Sequence, residues 1–364
     1  CDGQGQVCVR MAGLALRRLE TATATPRSEP ELLYSRNEWQ DQPRLPGDID
    51  AAQTLSVFVA LSDPQRIAAL GEQLGDAHVE ALPLAADSLE AATLAVLRHL
   101  QTRLGEHRKT LVCIVVPDTE QGHLLTPLLA LLKTARLESS RIDGKLMRVA
   151  GLAAMRAGPL AELIGAESRA FGQHVRIDPQ GRRQVRLQVE LAVAAPTAPV
   201  FREGGVYWIT GGGGGLGQIV ARELARAGDV RLVLSGRSGA PAHDLAVDYF
   251  AADVSDAADV RRVVAAIIDK YGVLNGVIHC AGVLDDAFIA NKSERQVAAV
   301  FAPKVSGVQH IDHATRDIGL DFLLLFSSVA AVHGGAGQAD YSVANAFLDA
   351  YAELHGRAER TLFA

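Results

Sequence analysis

Ser328, Tyr341 and Asn345 stand in one segment, FSSVAAVHGGAGQADYSVANAFLDAY, where the serine precedes the tyrosine by thirteen residues and the asparagine follows it by four. Four residues make about one helical turn, so Tyr341 and Asn345 share a helix face. Reduction of a carbonyl by hydride needs a proton donor at the developing alkoxide and a second donor to hold the carbonyl oxygen. It also needs a cation that makes the first donor more acidic. Tyrosine, serine and lysine side chains fit those roles.

A candidate phosphate cradle lies upstream. Residues 210–217 read TGGGGGLG between an apolar strand pattern and a helix pattern, the setting a dinucleotide loop requires. Glycines at 211, 215 and 217 permit a tight turn and close packing, so that backbone N–H groups and the positive start of the helix meet a pyrophosphate. Thr210, Gly211, Gly213, Gly214, Gly215 and Leu216 are the loop residues expected to contact the cofactor. A flexible glycine linker has a similar composition, but linkers do not usually join a buried strand to an amphipathic helix.

After the next strand pattern, an enzyme for the unphosphorylated nicotinamide places a carboxylate on the ribose, whereas LSGRS offers Arg237 and no acid. A guanidinium pairs with the extra ribose phosphate and a carboxylate repels it, so the expected cofactor is NADPH. Asp253 in AADVSD, followed by Val254, stands at a further strand end. Its carboxylate suits either the adenine amino group or a helix N-cap. Ala281 and Gly282, in HCAG, complete the expected cofactor contacts.

These groups need elements to position them. From Val206 the chain reads VYWITGG (strand), a helix over 215–227, VRLVLSGR (strand), a helix over 256–270 and VLNGVIHCAG (strand). Two more helices follow, then the strand DFLLLFSS and a helix beginning near Tyr341. This is the pattern of a doubly wound parallel sheet. The first half alternates likewise, with strands at 55–61, 78–84 and 110–116 and helices over 64–75, 87–105 and 123–137, but no glycine signature follows any of its strands. QHVRIDPQGRRQVRLQVEL reads as two strands meeting at PQGR. AVAAPTAPVFREGG at 192–205 and TATATPRSEPE at 21–31 read as connectors, and residues 5–19 as a short strand with its continuation.

Apolar residues make up 48% of the 364, charged residues 21% and aromatics 5%, which suits an α/β protein of two ordinary domains. A net charge of -6 offers no basic stripe for nucleic acid. The longest apolar runs, 111–116 and 321–332, are too short to cross a bilayer, so no membrane partner is expected. Cys1, Cys8, Cys113 and Cys280 form no C-x-x-C pair; neither a metal site nor a disulfide is expected, and a reducing cytoplasm suits the chain. The absence of an initiator Met and the apolar TLFA at the end make both termini read as cuts in a longer protein.

On TGGGGGLG, HCAG at 279–282 and the spaced Ser328 and Tyr341, the sequence resembles the short-chain dehydrogenase/reductase superfamily. Ordinary members carry Lys four residues after Tyr. Asn345 stands there instead, and a lysine, Lys304 in APKVSG, lies twenty-four residues before Ser328. That exchange is similar to ketoreductase domains of polyketide synthases and animal-type fatty acid synthases. The resemblance implies that Tyr341 gives the proton and Ser328 holds the ketone oxygen. Lys304 acidifies the phenol and touches the nicotinamide ribose, Asn345 steadies the group, and Ser327 is the neighbour most easily mistaken for Ser328. The implied substrate is a 3-ketoacyl thioester on the phosphopantetheine arm of an acyl carrier protein, with dehydratase and ketosynthase domains as neighbours.

Ketoreductases of this kind pair a catalytic half with a degenerate structural half. The resemblance therefore implies an α/β fold of two Rossmann-like halves: a structural half at 32–200, then a catalytic doubly wound parallel sheet at 201–364. YSRNEWQD resembles the opening strand of the structural half. LLKTARLESSRI at 131–142 is similar to bacterial modular synthases served by a separate acyltransferase, residues 1–20 resemble the tail of a preceding dehydratase, and 21–31 is the linker. The family continues past GRAERTLFA through another strand, a substrate lid and a last strand, so the catalytic half is expected to lack its C-terminal part. Leu284, Asp285 and Asp286 resemble the signature of ketoreductases that make the D-configured 3-hydroxyl, and His333 occupies the place where the opposite type carries Trp. A loop there steers the phosphopantetheine arm to one side, so that the ketone shows one face to the hydride.

Overall fold

The alternating apolar and amphipathic stretches form two sheets in the computed structural model, which describes residues 35–44, 53–84, 88–170, 172–191, 201–239, 245–356 and 361–363. The first half contributes β1 (Ser35–Asp41), β2 (Thr54–Val59), α1 (Pro64–Leu74), β3 (His78–Ala81), α2 (Ser88–Leu104) and β4 (Thr110–Pro117). It continues with α3 (Glu120–His123), α4 (Leu128–Glu138), β5 (Ile142–Val149), α5 (Ala157–Glu167), β6 (His174–Ile177) and β7 (Arg183–Glu190). The sheet order is β1-β7-β6-β5-β4-β2-β3, parallel from β6 to β3, with β6 and β7 antiparallel across the expected PQGR turn. β4 is buried along nearly its whole length, which is why it reads as an unbroken apolar run.

The second half contains β8 (Val206–Thr210), α6 (Gly215–Ala227), β9 (Arg231–Gly236), β10 (Asp248–Ala251), α7 (Ala257–Tyr271) and β11 (Gly276–His279). After these come α8 (Glu294–Phe301), a π-helical turn (Ala302–Ser306), α9 (Gly307–Ala314), β12 (Phe322–Leu325), α10 (Val329–His333), α11 (Ala339–His355) and β13 (Thr361–Phe363). Its order, β10-β9-β8-β11-β12-β13 and parallel throughout, is the doubly wound order in which the direction of winding reverses between β8 and β11.

The described parts of residues 37–187 and 195–364 form one compact unit, whereas Ser35, Arg36 and Gln188–Leu191 fall in a separate small one. Within the large unit one apolar cluster takes in Phe58, Ile114 and Leu128 of the first half together with Trp208, Phe301 and Phe347 of the second. At roughly 1.5–3 kcal/mol for each large side chain removed from water, this shared core ties the two sheets together.

Several elements differ from the periodicity, and α5, α10 and β13 are not expected from the sequence at all. The single helix expected over 123–137 is two, because Pro127 has no N–H to continue α3 and instead stands at the N-cap of α4. β5 escapes a hydrophobicity reading because the buried Lys145 interrupts it, its ammonium held by the Glu167 carbonyl at 2.6 Å and the Ala170 carbonyl at 2.7 Å. β10 has only four residues, three half-buried and one exposed, too few to show alternation. The strand expected at 5–19, the connector at 21–31, Cys1, Cys8 and residues 192–200 lie outside the described residues. Among the described residues, no helix is long and apolar enough to cross a membrane.

Candidate active site

Parallel register aligns the strand ends that carry the candidate residues. Thr210 pairs with Ser235 on one side and His279 on the other, and His279 pairs in turn with Leu325. The segments leaving β8, β9, β11 and β12 therefore emerge along one edge: the glycine loop, Arg237, Ala281 with Gly282, and Ser328. Ligands of doubly wound sheets bind at that carboxyl edge, at the point of reversal.

The glycine loop is shaped by contacts that exclude a side chain. Gly211 has φ +66°, and a Cβ there would lie 2.7 Å from the Ala281 nitrogen; at Gly217 it would lie 2.5 Å from the Gly211 carbonyl oxygen. Gly212, absent from the expected contacts, would meet Leu234 Cβ at 2.7 Å, whereas Gly215 has open space. Close packing thus falls to 211, 212 and 217, while residues 213–216 face solvent. Gly214 is the N-cap of α6 and no side chain caps it, which leaves the first-turn N–H groups suited to phosphate oxygens. The matching helix start in the first half is closed: Asp63 caps α1, accepting from the N–H groups of Gln65 at 2.9 Å and Arg66 at 3.4 Å, behind Pro64. A fixed carboxylate occupies the place where a phosphate would sit.

Lys304 lies in the π-helical turn between α8 and α9, a form of backbone frequently found at functional sites. Its side chain is 4% exposed; the ammonium donates to the Phe326 carbonyl at 2.9 Å and sits 5.7 Å from the centre of the Tyr341 ring. Burial lowers its pKa to about 8, against the opposing pull of Cys280 and Asp349. Gly282 makes room for it, since a Cβ there would stand 3.1 Å from Lys304 Cε. Ser328 is the N-cap of α10, its hydroxyl oxygen accepting from Ala330 N–H at 3.2 Å; among the described residues its own proton has no acceptor, so it can be donated to a bound carbonyl. Ser327 is used differently, donating to the Asn345 carbonyl at 3.1 Å. Asn345 is fully buried; its amide donates to the Tyr341 carbonyl at 2.7 Å, and among the described residues its Oδ1 has no partner.

Two residues with no role in the sequence reading complete the arrangement. His279, fully buried, bridges Thr210 Oγ1 at 2.7 Å and the Pro303 carbonyl at 3.0 Å. A carbonyl can only accept, so Nε2 carries the proton and Nδ1 accepts from the threonine. Burial, reinforced by the Lys304 charge, holds its pKa near 3, and the neutral ring therefore fastens the turn that carries Lys304. Asp349 lies on the stripe 341, 345, 349 of α11; burial raises its carboxyl to about 6. The i, i+4 spacing from Asn345 was the signal available in the sequence.

The remaining candidates are placed but unequally engaged. Arg237 is exposed immediately after β9. Asp253 is not the N-cap that its position also allowed: Asp256 caps α7, while Asp253 accepts from Ser255 N–H at 2.9 Å and Ser255 Oγ at 2.6 Å. Val254 packs beneath the Lys304 turn, 3.1 Å from where a Cβ on Gly307 would be. Leu284 and Val329 present apolar side chains that are 63% and 73% exposed. Asp285 accepts from Gln296 Nε2 at 2.8 Å and Asp286 from Gln338 Nε2 at 3.1 Å.

Known proteins share the sequence family and the fold of this chain. Residues 205–362 match the family described as KR domain. The chain is 33% identical over 395 aligned residues to Polyketide synthase PksL of Bacillus subtilis (strain 168), covering all of this chain and 8% of that protein. It is likewise 33% identical over 372 residues to Polyketide synthase ThaG of Burkholderia thailandensis, covering 95% and 6%. The chain therefore spans under a tenth of the length of these curated relatives. Among solved structures, a ketoreductase domain from the bacillaene assembly line superposes with a TM-score of 0.79 at 31% identity, covering 88% of this chain and 80% of that one. An N-terminal ketoreductase from the macrolactin assembly line, 20% identical, shares the fold with a TM-score of 0.69 over 88% of this chain and 79% of that one.

Proposed function

Because this chain belongs to the ketoreductase domains of modular polyketide synthases, we propose that it uses NADPH to reduce a 3-ketoacyl thioester, presented by an acyl carrier protein, to the D-configured 3-hydroxyacyl thioester. The observation that carries this reading is the buried Lys304 ammonium over the Tyr341 ring, at the same sheet edge as an uncapped glycine loop. Bound NADPH supplies the hydride. The residues that would hold it are the 210–217 loop at the diphosphate, Arg237 at the ribose phosphate, Asp253 and Val254 near the adenine, and Ala281 and Gly282 beside the loop.

The protein's own groups handle the oxygen. Ser328 donates to the ketone oxygen and Tyr341 delivers its phenolic proton as negative charge develops there. Lys304 supplies the neighbouring positive charge, and Asn345 holds the Tyr341 turn through its carbonyl. Exposed Leu284 and Val329 offer an apolar rest to the acyl chain, while Asp285 and Asp286 fix the loop that orients the phosphopantetheine arm. The intact constellation favours turnover over a purely scaffolding role beside the dehydratase and ketosynthase of a cytoplasmic synthase.

The test is NADPH consumption with a 3-ketoacyl-N-acetylcysteamine thioester, with the product enantiomers resolved. Tyr341→Phe should slow reduction about a hundredfold or more. Equal rates in the two proteins would refute the assignment of the proton donor, and a wild-type protein that binds NADPH tightly without turnover would favour the scaffold.

A further inference from the structure

Two segments border the candidate site. Residues 284–291 follow β11 and carry Leu284–Asp286; residues 334–340 lead from α10 into α11 and deliver Tyr341. Ala287 N–H donates to the Gly337 carbonyl at 2.9 Å, joining them directly. Two charged side chains without a part in the proposed chemistry add further ties.

Lys292 is one. Its side chain is 0% exposed and its ammonium pairs at 2.9 Å with Asp340, which is 1% exposed and adjoins Tyr341. It also donates to the Asp285 carbonyl at 2.8 Å and reaches the Gly337 carbonyl at 3.4 Å. An ammonium has three protons, and these acceptors can take all three. Glu138, the last residue of α4 in the other half, is the second. Its two oxygens accept from different segments: Ile289 N–H at 2.7 Å and Gly337 N–H at 2.9 Å. Gly337 is thus held through both its N–H and its carbonyl, at φ +79°.

A buried ion pair is an expensive way to fill space, since apolar residues of similar volume are often at least as stabilising. What the pair and Glu138 provide beyond packing is directional contact with both segments. We propose that Lys292 and Glu138 are positioning residues that lock the 284–291 loop to the start of α11, so that the loop steering the substrate and the Tyr341 proton donor keep one relative position and the ketone presents one face. The stereochemical part rests on the reductase reading; the lock itself does not.

Glu138→Ala removes one set of ties from a half-exposed helix end and should leave the core intact. Lys292→Met combined with Asp340→Asn removes the buried pair together, because losing the lysine alone strands a carboxylate. Hydrogen–deuterium exchange is followed in peptides covering 284–292 and 334–342, and the enantiomer ratio of the alcohol is measured with the N-acetylcysteamine substrate. In Glu138→Ala both segments should exchange about tenfold faster or more while β4 and β8 stay protected. The enantiomer ratio should fall about tenfold with the KM for NADPH unchanged, a split that simple loss of stability would not produce. The double variant should do the same; if it unfolds globally, Glu138→Ala alone decides. Unchanged exchange in both segments overturns the lock, and faster local exchange with an unchanged ratio overturns its stereochemical role. Exchange needs no turnover, so a wild-type protein that reduces nothing would defeat the reductase reading while the lock is still judged by its own measurement.

Discussion

Replacing Lys304 by methionine should separate stability from activity, and the structure sets the size of the effect. Lys304 falls from an ordinary 10.5 to about 8 because burial penalises its charge. At about 1.4 kcal/mol per pH unit, keeping this lysine protonated in the fold costs about 3 kcal/mol near neutral pH. The sign follows from proton counts. Between pH 8 and 10.5 the folded protein has released this proton and the unfolded chain still holds it, so stability rises with pH across that window and is flat with respect to Lys304 below it. Methionine carries no charge and has no such dependence. It does forfeit the hydrogen bond to the Phe326 carbonyl, a loss of about 1–3 kcal/mol if that oxygen is left unpaired. The two terms nearly cancel at pH 7, so Lys304→Met should be neutral or stabilising by up to about 2 kcal/mol while abolishing most reductase activity.

Urea denaturation of both proteins at pH 7, 8, 9 and 10 provides the measurement. The difference between them cancels the titrating groups that do not interact with Lys304, and the wild type should gain on the variant by about 1.4 kcal/mol per pH unit above pH 8. A difference that stays flat to pH 10, or a methionine variant several kcal/mol less stable at pH 7, would refute the view that the site holds a cation against the preference of its surroundings.

Three further outcomes are expected. Gly211→Ala combines a left-handed φ of +66° with a Cβ 2.7 Å from the Ala281 nitrogen, so it should lower stability by about 2–4 kcal/mol and NADPH affinity by tenfold or more, as read by melting and calorimetry. If Arg237 holds the ribose phosphate as proposed, Arg237→Ala should raise the KM for NADPH about ten- to hundredfold and leave that for NADH nearly unchanged, since it would remove one charge-assisted contact. Asp63→Ala should cost about 1 kcal/mol as a lost helix cap without altering NADPH affinity; a change in affinity would mean that the first half takes part in binding.

Much of the molecule is legible in one dimension because its signals are local. Apolar runs such as VYWIT and LVCIVV mark strands buried on both faces, and the i, i+4 placement of Tyr341 and Asn345 reports a helix face. The glycine run between β8 and α6 reports its own turn, since φ +66° at residue 211 strongly favours glycine. Where local signals conflict, the reading fails: Lys145 hides β5 because its partners at Glu167 and Ala170 are distant in sequence, and Pro127 divides one periodic stretch into two helices.

Sequence alone therefore determined which groups are present, which elements carry them and which loop suits a dinucleotide, since each follows from residue type and short-range geometry. Tertiary structure decided what depends on distant contacts. It filled the first helix start with Asp63, gave close packing in the glycine loop to Gly212 rather than Gly215, and set Lys304 in a π-turn fastened by neutral His279. It also brought Glu138 of one half against Gly337 of the other, 199 residues away in sequence. Burial and hydrogen bonding across such separations arise only once the sheets have packed, and no periodicity in the chain encodes them.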